Sequence, residues 1–326
     1  MGFTSIQGLR SGMAGRGAGR KMMAWAFTSA LSLVSATGCG VQELPSEEAS
    51  EVLQTQSQAL ETENGMSLNG LSLNGLSLNG LSLNGLSLNG LSTTDFTSWF
   101  NGDPASNSLL MRYMVRCAVP EGETRTFRNP NTGVTYSWPG ALGLAPGWAG
   151  GSPASLAEQQ VISACLAAHA NNYGLNVSIS VLGRDARGTA IPYSSEELTL
   201  FAKRESCFFG NVFTHQGLFA GNDRTSLAAD ESTRRPCGLK GYKALDNPAC
   251  EQVKRIGQCE DYCTLDASGN FYTQCTYNGV QYKPLNTRLR QSDINRCGDG
   301  VCQMGESCGW GITADDCLMD CGTCSY

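Results

Sequence analysis

The chain carries two histidines, His169 and His215, and 15 cysteines in 326 residues, so its options for covalent or metal chemistry run through few side chains. Cys165 and His169 stand four apart in a helical pattern, on one face of the helix. That spacing suits a metal ion or a thiolate–imidazole pair. The opposing reading pairs Cys165 with Cys117, tying two helices, and leaves His169 on the surface. An oxidising compartment favours the pairing. His215 with Asp223 would supply a general base and its orienter, but no nucleophile stands out to complete them. Near the C-terminus, Cys317-x-x-x-Cys321-x-x-Cys324 has zinc-like spacing. Its rival is a set of internal bridges among Cys297, Cys302, Cys308, Cys317, Cys321 and Cys324, whose connectivity the sequence leaves open. No Gly-x-Ser-x-Gly, His-Glu-x-x-His or phosphate loop is present.

The N-terminus bears on which of these chemistries is available. Arg10, Arg16, Arg20 and Lys21 precede an apolar run from Met22 to Val34, and no acid occurs before Glu43. This is the layout of a signal peptide over 1–38. It ends in Ala36-Thr37-Gly38-Cys39, which resembles a bacterial lipobox with Ala36 where Leu is usual, and makes Cys39 the lipidation site. Simple cleavage after Ala36 is the alternative. With Cys39 acylated, 14 cysteines remain, an even number that suits disulfides throughout. Gly40 after the cysteine leaves out the Asp that signals inner-membrane retention, so the expected location is the outer membrane or cell surface. Without residues 1–38 the chain has 19 Lys and Arg against 29 Asp and Glu, a net charge of −10. An acidic chain with no basic stripe argues against nucleic acid and against docking on anionic lipid by charge. Residues 39–63 read as a disordered acidic tether.

Residues 64–92 hold a repeat, Ser-Leu-Asn-Gly-Leu five times from Ser67 to Leu91. A period of five fits neither strand nor helix, and Asn-Gly favours turns. The unit resembles pentapeptide-repeat β-solenoids, which makes a single short coil one reading and a flexible spacer the other. Residues 93–291 then read as a disulfide-rich α+β domain. It holds a helix over Leu109–Val119, a hairpin over Phe127–Trp138, and a packed or exposed loop with Trp138 and Trp148. A second helix over Ser155–Tyr173 is opened by a Ser155/Glu158 capping box. Val177–Leu182 is a strand, a helix opens at Ser194 or Ser195, and Cys207–Phe213 is a buried strand or a wedge under the core. A disulfide-stapled meander over Tyr262–Leu285 is expected to pack on the helices.

Residues 292–326 form a separate cysteine-rich module, too small to bury a core and therefore stapled. Cys297-Gly298-Asp299-Gly300-Val301-Cys302, then Gly305-Glu306-Ser307-Cys308, then Asp320-Cys321-Gly322, resembles cysteine-rich modules appended to myxobacterial exported proteins. Together with the Ser-Leu-Asn-Gly-Leu array, it makes the chain similar to a group of uncharacterised myxobacterial lipoproteins. That group brings no activity with it. The module also resembles small calcium-stabilised knots, and this likeness implies Asp299, Glu306, Asp316 and Asp320 as calcium ligands. Carboxylates in a loop-rich segment suit a hard cation; solvated surface acids are the plain alternative. The expected role is binding, adhesion or structure at the bacterial surface. The membrane would be reached through the lipid, and the ligand would be a surface protein or polysaccharide. The rival is an exported hydrolase with its site near His215 or Cys165/His169.

Overall fold

A computed structural model of the chain describes residues 61–64, 88–170, 177–224, 227–228, 230–235, 237–238, 252–303, 305–308 and 316–324. The chain divides into two units, Met1–Leu53 and Gln54–Tyr326, and every described residue belongs to the second. The expected signal peptide, Cys39 and most of the repeat lie outside the described residues. No described helix is long and apolar enough to cross a membrane.

Strand β1 (Glu61–Asn64) comes first and pairs antiparallel with a later strand, β4 (Val177–Gly183). The end of the expected tether is thus part of a sheet. Its acids do not forbid this, because ladder hydrogen bonds come from the backbone. The last repeat copy ends in α1 (Leu88–Leu91), one helical turn with Leu91 buried, so at this point the chain is neither coil nor spacer. Helix α2 (Thr94–Gly102) is capped by Thr93, whose hydroxyl accepts from the Phe96 N–H, and buries Phe96 and Phe100. Asp103 caps α3 (Pro104–Ala118) in the same way, through Ser106. The helix starts a turn earlier than apolar spacing suggests, because Pro suits its first position.

The hairpin of β2 (Thr124–Arg128) and β3 (Thr135–Pro139) lays Phe127 and Trp138 against α2 and α3. Its loop and α4 (Pro146–Ala149) are packed rather than exposed, with Trp138 and Trp148 both buried. Helix α5 (Leu156–His169) has the full capping box. Apart from its exposed first turn it is buried all round rather than along a stripe, as befits a helix sandwiched inside a domain. It ends at His169, before the expected Tyr173.

After β4 come α6 (Ser195–Leu200), β5 (Lys203–Asn211), β6 (Gly217–Asn222), β7 (Glu231–Thr233) and β8 (Val253–Gln258). The meander follows: β9 (Cys263–Leu265), β10 (Tyr272–Tyr277) and β11 (Val280–Tyr282). The chain then returns as β12 (Leu285–Leu289), adds β13 (Ile294–Arg296), and closes with α7 (Leu318–Cys321). The main sheet has the order β1-β4-β12-β5-β6-β8, antiparallel except for the parallel β6–β8 pair.

Two adjacent phenylalanines on β5 show how the layers are built. Successive side chains on a strand point to opposite faces. Phe208 joins the core beneath α3 and α5, whereas Phe209 joins Phe219, Tyr277 and Tyr282 beneath the meander. Phe219 and Tyr277 pack at a tilt of 46° with ring centroids 4.7 Å apart. The meander's aromatic core therefore packs on the sheet rather than on the helices. Six bridges join pairs of described cysteines: Cys117–Cys165, Cys207–Cys259 and Cys263–Cys275 in the body, and Cys297–Cys317, Cys302–Cys321 and Cys308–Cys324 in the terminal module; Cys237 is disulfide-bonded as well. The result is a mixed helix and sheet body that is rich in disulfides.

Candidate functional site

Cys165 is joined to Cys117 across α3 and α5 and has no thiolate to offer. His169, expected at the surface, has no exposed area. Its neighbours Tyr113 and Arg235 come from distant parts of the chain, so spacing along one helix gives no hint of the cover. Its Nδ1–H donates to the Cys165 carbonyl at 2.8 Å, and its ring lies 5.6 Å from that of Tyr113. Burial lowers its pKa to about 3, with the Arg116 and Arg235 charges adding to the drop and the Cys165 hydrogen bond opposing it. The imidazole is therefore neutral and closed to solvent, with Nε2 unpartnered.

His215 is exposed and takes the left-handed conformation (φ 58°) in the turn between β5 and β6. Asp223 follows the other end of β6, roughly 20 Å away at about 3.3 Å per strand residue. Its carboxylate is held by Arg204 in a two-point pair, Nη2–Oδ1 at 2.8 Å and Nε–Oδ2 at 3.0 Å. Burial raises the Asp223 pKa and the Arg204 contacts work against that rise. The expected base and orienter are not brought together, because the strand between them is extended.

The terminal module brings three of its four named acids into one place. Asp320 accepts from the Gly298 and Gly300 N–H groups at 2.6 and 3.0 Å. Both glycines have positive φ, 101° and 86°, a conformation that glycine adopts without strain. Asp299 accepts from the Val301 N–H and from the Gln303 amide. Glu306 accepts from the Gln303 N–H and is 8 % exposed. Burial raises the Glu306 pKa; the Gln303 hydrogen bond lowers it, and the nearby Asp320 and Asp299 charges raise it further. Two buried oxygens here, Glu306 Oε1 and Gln303 Oε1, have no hydrogen-bond partner. Asp316 accepts from the Ser307 hydroxyl at 3.1 Å. Gln303 belongs to the cluster and carries no charge to mark it in the sequence. Its position one residue after Cys302 was the available signal.

All 13 described cysteines are disulfide-bonded, those of the terminal module included. Cys317, Cys321 and Cys324 pair with Cys297, Cys302 and Cys308 in register. Their sulfurs are thereby withdrawn from zinc, whose sites use thiolates.

Comparison with known proteins found no family model, no curated protein and no solved structure that matches this chain.

Proposed function

We propose that this is an exported lipoprotein of the bacterial cell envelope, held at the outer membrane or cell surface through Cys39, that acts by binding and not by covalent catalysis. In this reading it belongs with the myxobacterial lipoproteins that share the repeat and the terminal module. The observation that carries it is how the two histidines and the described cysteines are used. His169 is sealed in the core, His215 lacks its orienter, and the described cysteines are cross-links. Disulfides of this density also fit an oxidising compartment. A hydrolase would have to work without an imidazole pair or a thiolate.

The terminal module fits a structural calcium ion. Asp299, Gln303, Glu306 and Asp320 would hold it, since the two unpartnered oxygens of Gln303 and Glu306 are both acceptors and sit beside two carboxylates. A hard cation takes oxygen ligands of this kind. Its role would be to offset the repulsion among these carboxylates.

The test is expression with the native leader in an exporting Gram-negative host. The protein should partition into detergent with the outer membrane, and Cys39→Ala should release it into the soluble fraction. Wild-type protein that is soluble, with an unmodified N-terminus at Thr37, would overturn the reading.

A further inference from the structure

Two bridges of the body stand in contact where the meander packs on β5. Cys263–Cys275 joins β9 to β10, whose antiparallel pairing sets the two residues directly opposite each other. Cys207–Cys259 joins β5 to the turn at Cys259–Asp261, which follows β8. Cys207 Sγ lies 3.9 Å from Cys263 Sγ, and the sulfurs of Cys207, Cys263 and Cys275 all fall within 4.8 Å of one another. As thiols they would suit a metal ion, but all are bridged. Gly221 of β6 makes the room: a Cβ there would stand 3.1 Å from the sulfurs of both Cys207 and Cys259. Access is uneven. Cys207, Cys259 and Cys275 have no exposed area, whereas Cys263 is half-buried and the next two residues, Thr264 and Leu265, are exposed. One sulfur of the four is therefore open to a reagent from outside.

We infer that these four cysteines form one exchange unit, in which an outside thiol that attacks Cys263 re-pairs Cys207 with Cys275. A thiolate opens a disulfide by bonding to one sulfur and expelling the other. The entering thiolate bonds to Cys263 Sγ, the Cys263–Cys275 bond breaks, and Cys275 leaves with the electron pair. Cys275 then attacks Cys207 Sγ, which breaks Cys207–Cys259 and expels the Cys259 thiolate. The Cys207 N–H donates to Cys259 Sγ at 3.1 Å, and a hydrogen bond to the charged form eases its departure. Cys259 takes a proton from water, and the Gly221 carbonyl, 3.1 Å away, accepts from the new S–H. A second outside thiolate attacks the thiol held on Cys263, forms the outside disulfide and releases Cys263, which is protonated in turn. Two outside thiols are oxidised, one bridge of the protein is reduced, and Cys207–Cys275 remains. The new bridge ties the main sheet directly to β10, so the meander stays docked. Residues 259–263 lose both of their links, and β9 loses its clamp. The device is a redox-sensitive release of the segment between β8 and β9. The oxidised unit holds no free thiol, so it is a target of the outside thiol and not a thiol catalyst.

The test uses intact mature protein treated with increasing glutathione. Acid quenching protonates the thiols and stops exchange. The protein is then unfolded, alkylated with a maleimide and cut with chymotrypsin, which separates Cys259, Cys263 and Cys275 at Tyr262 and Phe271. The first body cysteines alkylated should be Cys259 and Cys263, in equal amounts and matched by a Cys207–Cys275 cross-linked peptide. Cys117–Cys165, with no exposed area on either side, should stay intact. In a Cys263→Ser/Cys275→Ser variant the entry sulfur is gone, and Cys207–Cys259 should open at least about tenfold more slowly. Alkylation of Cys263 together with Cys275 while Cys207–Cys259 persists would overturn the inference. So would opening of Cys207–Cys259 at the wild-type rate in the variant, or body bridges that open only when the protein unfolds. None of these outcomes bears on acylation of Cys39, so the anchor and the exchange unit stand or fall separately.

Discussion

In the body, Arg235 and Glu205 form an ion pair with both side chains fully buried, 2.7 Å apart. Arg235 donates as well to the Ala168 carbonyl at the end of α5. Neither side chain is reached by solvent. In the terminal module, Glu306 is the buried acid; Ile294, on the strand that leads in, is its one large apolar side chain buried among the described residues, and Val301 and Met319 are 57 % and 79 % exposed. The body tolerates charge because it has a core large enough to enclose and pair it. The described part of the module has bridges and only Ile294 toward a core, so its carboxylates rely on glycine N–H groups and, in our reading, a cation. The two regions meet where β13 pairs with β7 and the Cys297 N–H donates to the Asp230 carbonyl at 2.8 Å.

The difference predicts different failures. Glu205→Ala leaves Arg235 charged and unpaired in the core and should cost about 3–5 kcal/mol of body stability, measured by denaturant unfolding. Replacing both partners by Leu and Met should recover most of that loss, since no lone charge is left behind. A double variant as unstable as the single one would show that the pair does more than satisfy itself. Cutting one bridge of the module, with Cys302 and Cys321 both changed to Ala, should cost the module about 2–5 kcal/mol. Limited proteolysis with mass mapping should then find cleavage confined to the residues after Cys297, with the body melting as before. Loss of the body along with the module would erase the distinction between them.

A smaller effect is expected at the α5 cap. Glu158 accepts from the Ser155, Gly147 and Trp148 N–H groups. Burial pushes its pKa up, and these bonds together with the Ser155 hydroxyl outweigh that and hold it below the usual range. Glu158→Ala leaves buried donors unmet and should cost about 1–3 kcal/mol in thermal unfolding. The last effect is one of pH. His169 is neutral in the folded protein down to about 3, whereas its unperturbed pKa is 6.5. The unfolded chain takes up the proton first as pH falls, so this contribution is full above that value. It declines on acidification by about 1.4 kcal/mol per pH unit. Comparing His169→Gln with wild type between pH 7 and 4 checks this, because the variant should lack the slope that His169 adds.

Much of the body is legible in the sequence wherever the cause is local. The Ser155/Glu158 box, the β2–β3 hairpin, the buried character of β5 and the Cys117–Cys165 bridge each follow from residues close together or from cysteine chemistry. The misses have distant causes. Leu285 reads as the end of the meander, yet it opens β12 in the centre of the main sheet. There Asn286 and Thr287 are buried, and Asn286 accepts from the Tyr272 N–H at 2.9 Å. Polar residues in a central strand hide it from any reading by hydrophobicity. Glu205 and Arg235 lie 30 residues apart, with nothing in either neighbourhood to pair them. The acids of the module follow from resemblance, whereas Gln303, bonded to Asp299 and Glu306, carries no charge to mark it.

The most direct test of the central claim, that this chain binds and does not react through thiol or imidazole, is an intact mass of the mature protein from an exporting host. It would be taken after alkylation, with and without prior reduction. The account predicts diacyl or triacyl mass on Cys39, no alkylation before reduction, alkylation of the other 14 cysteines after it, and no bound zinc. A cysteine that reacts without reduction, or zinc retained through native mass analysis, would contradict it and return the chain to the enzymes.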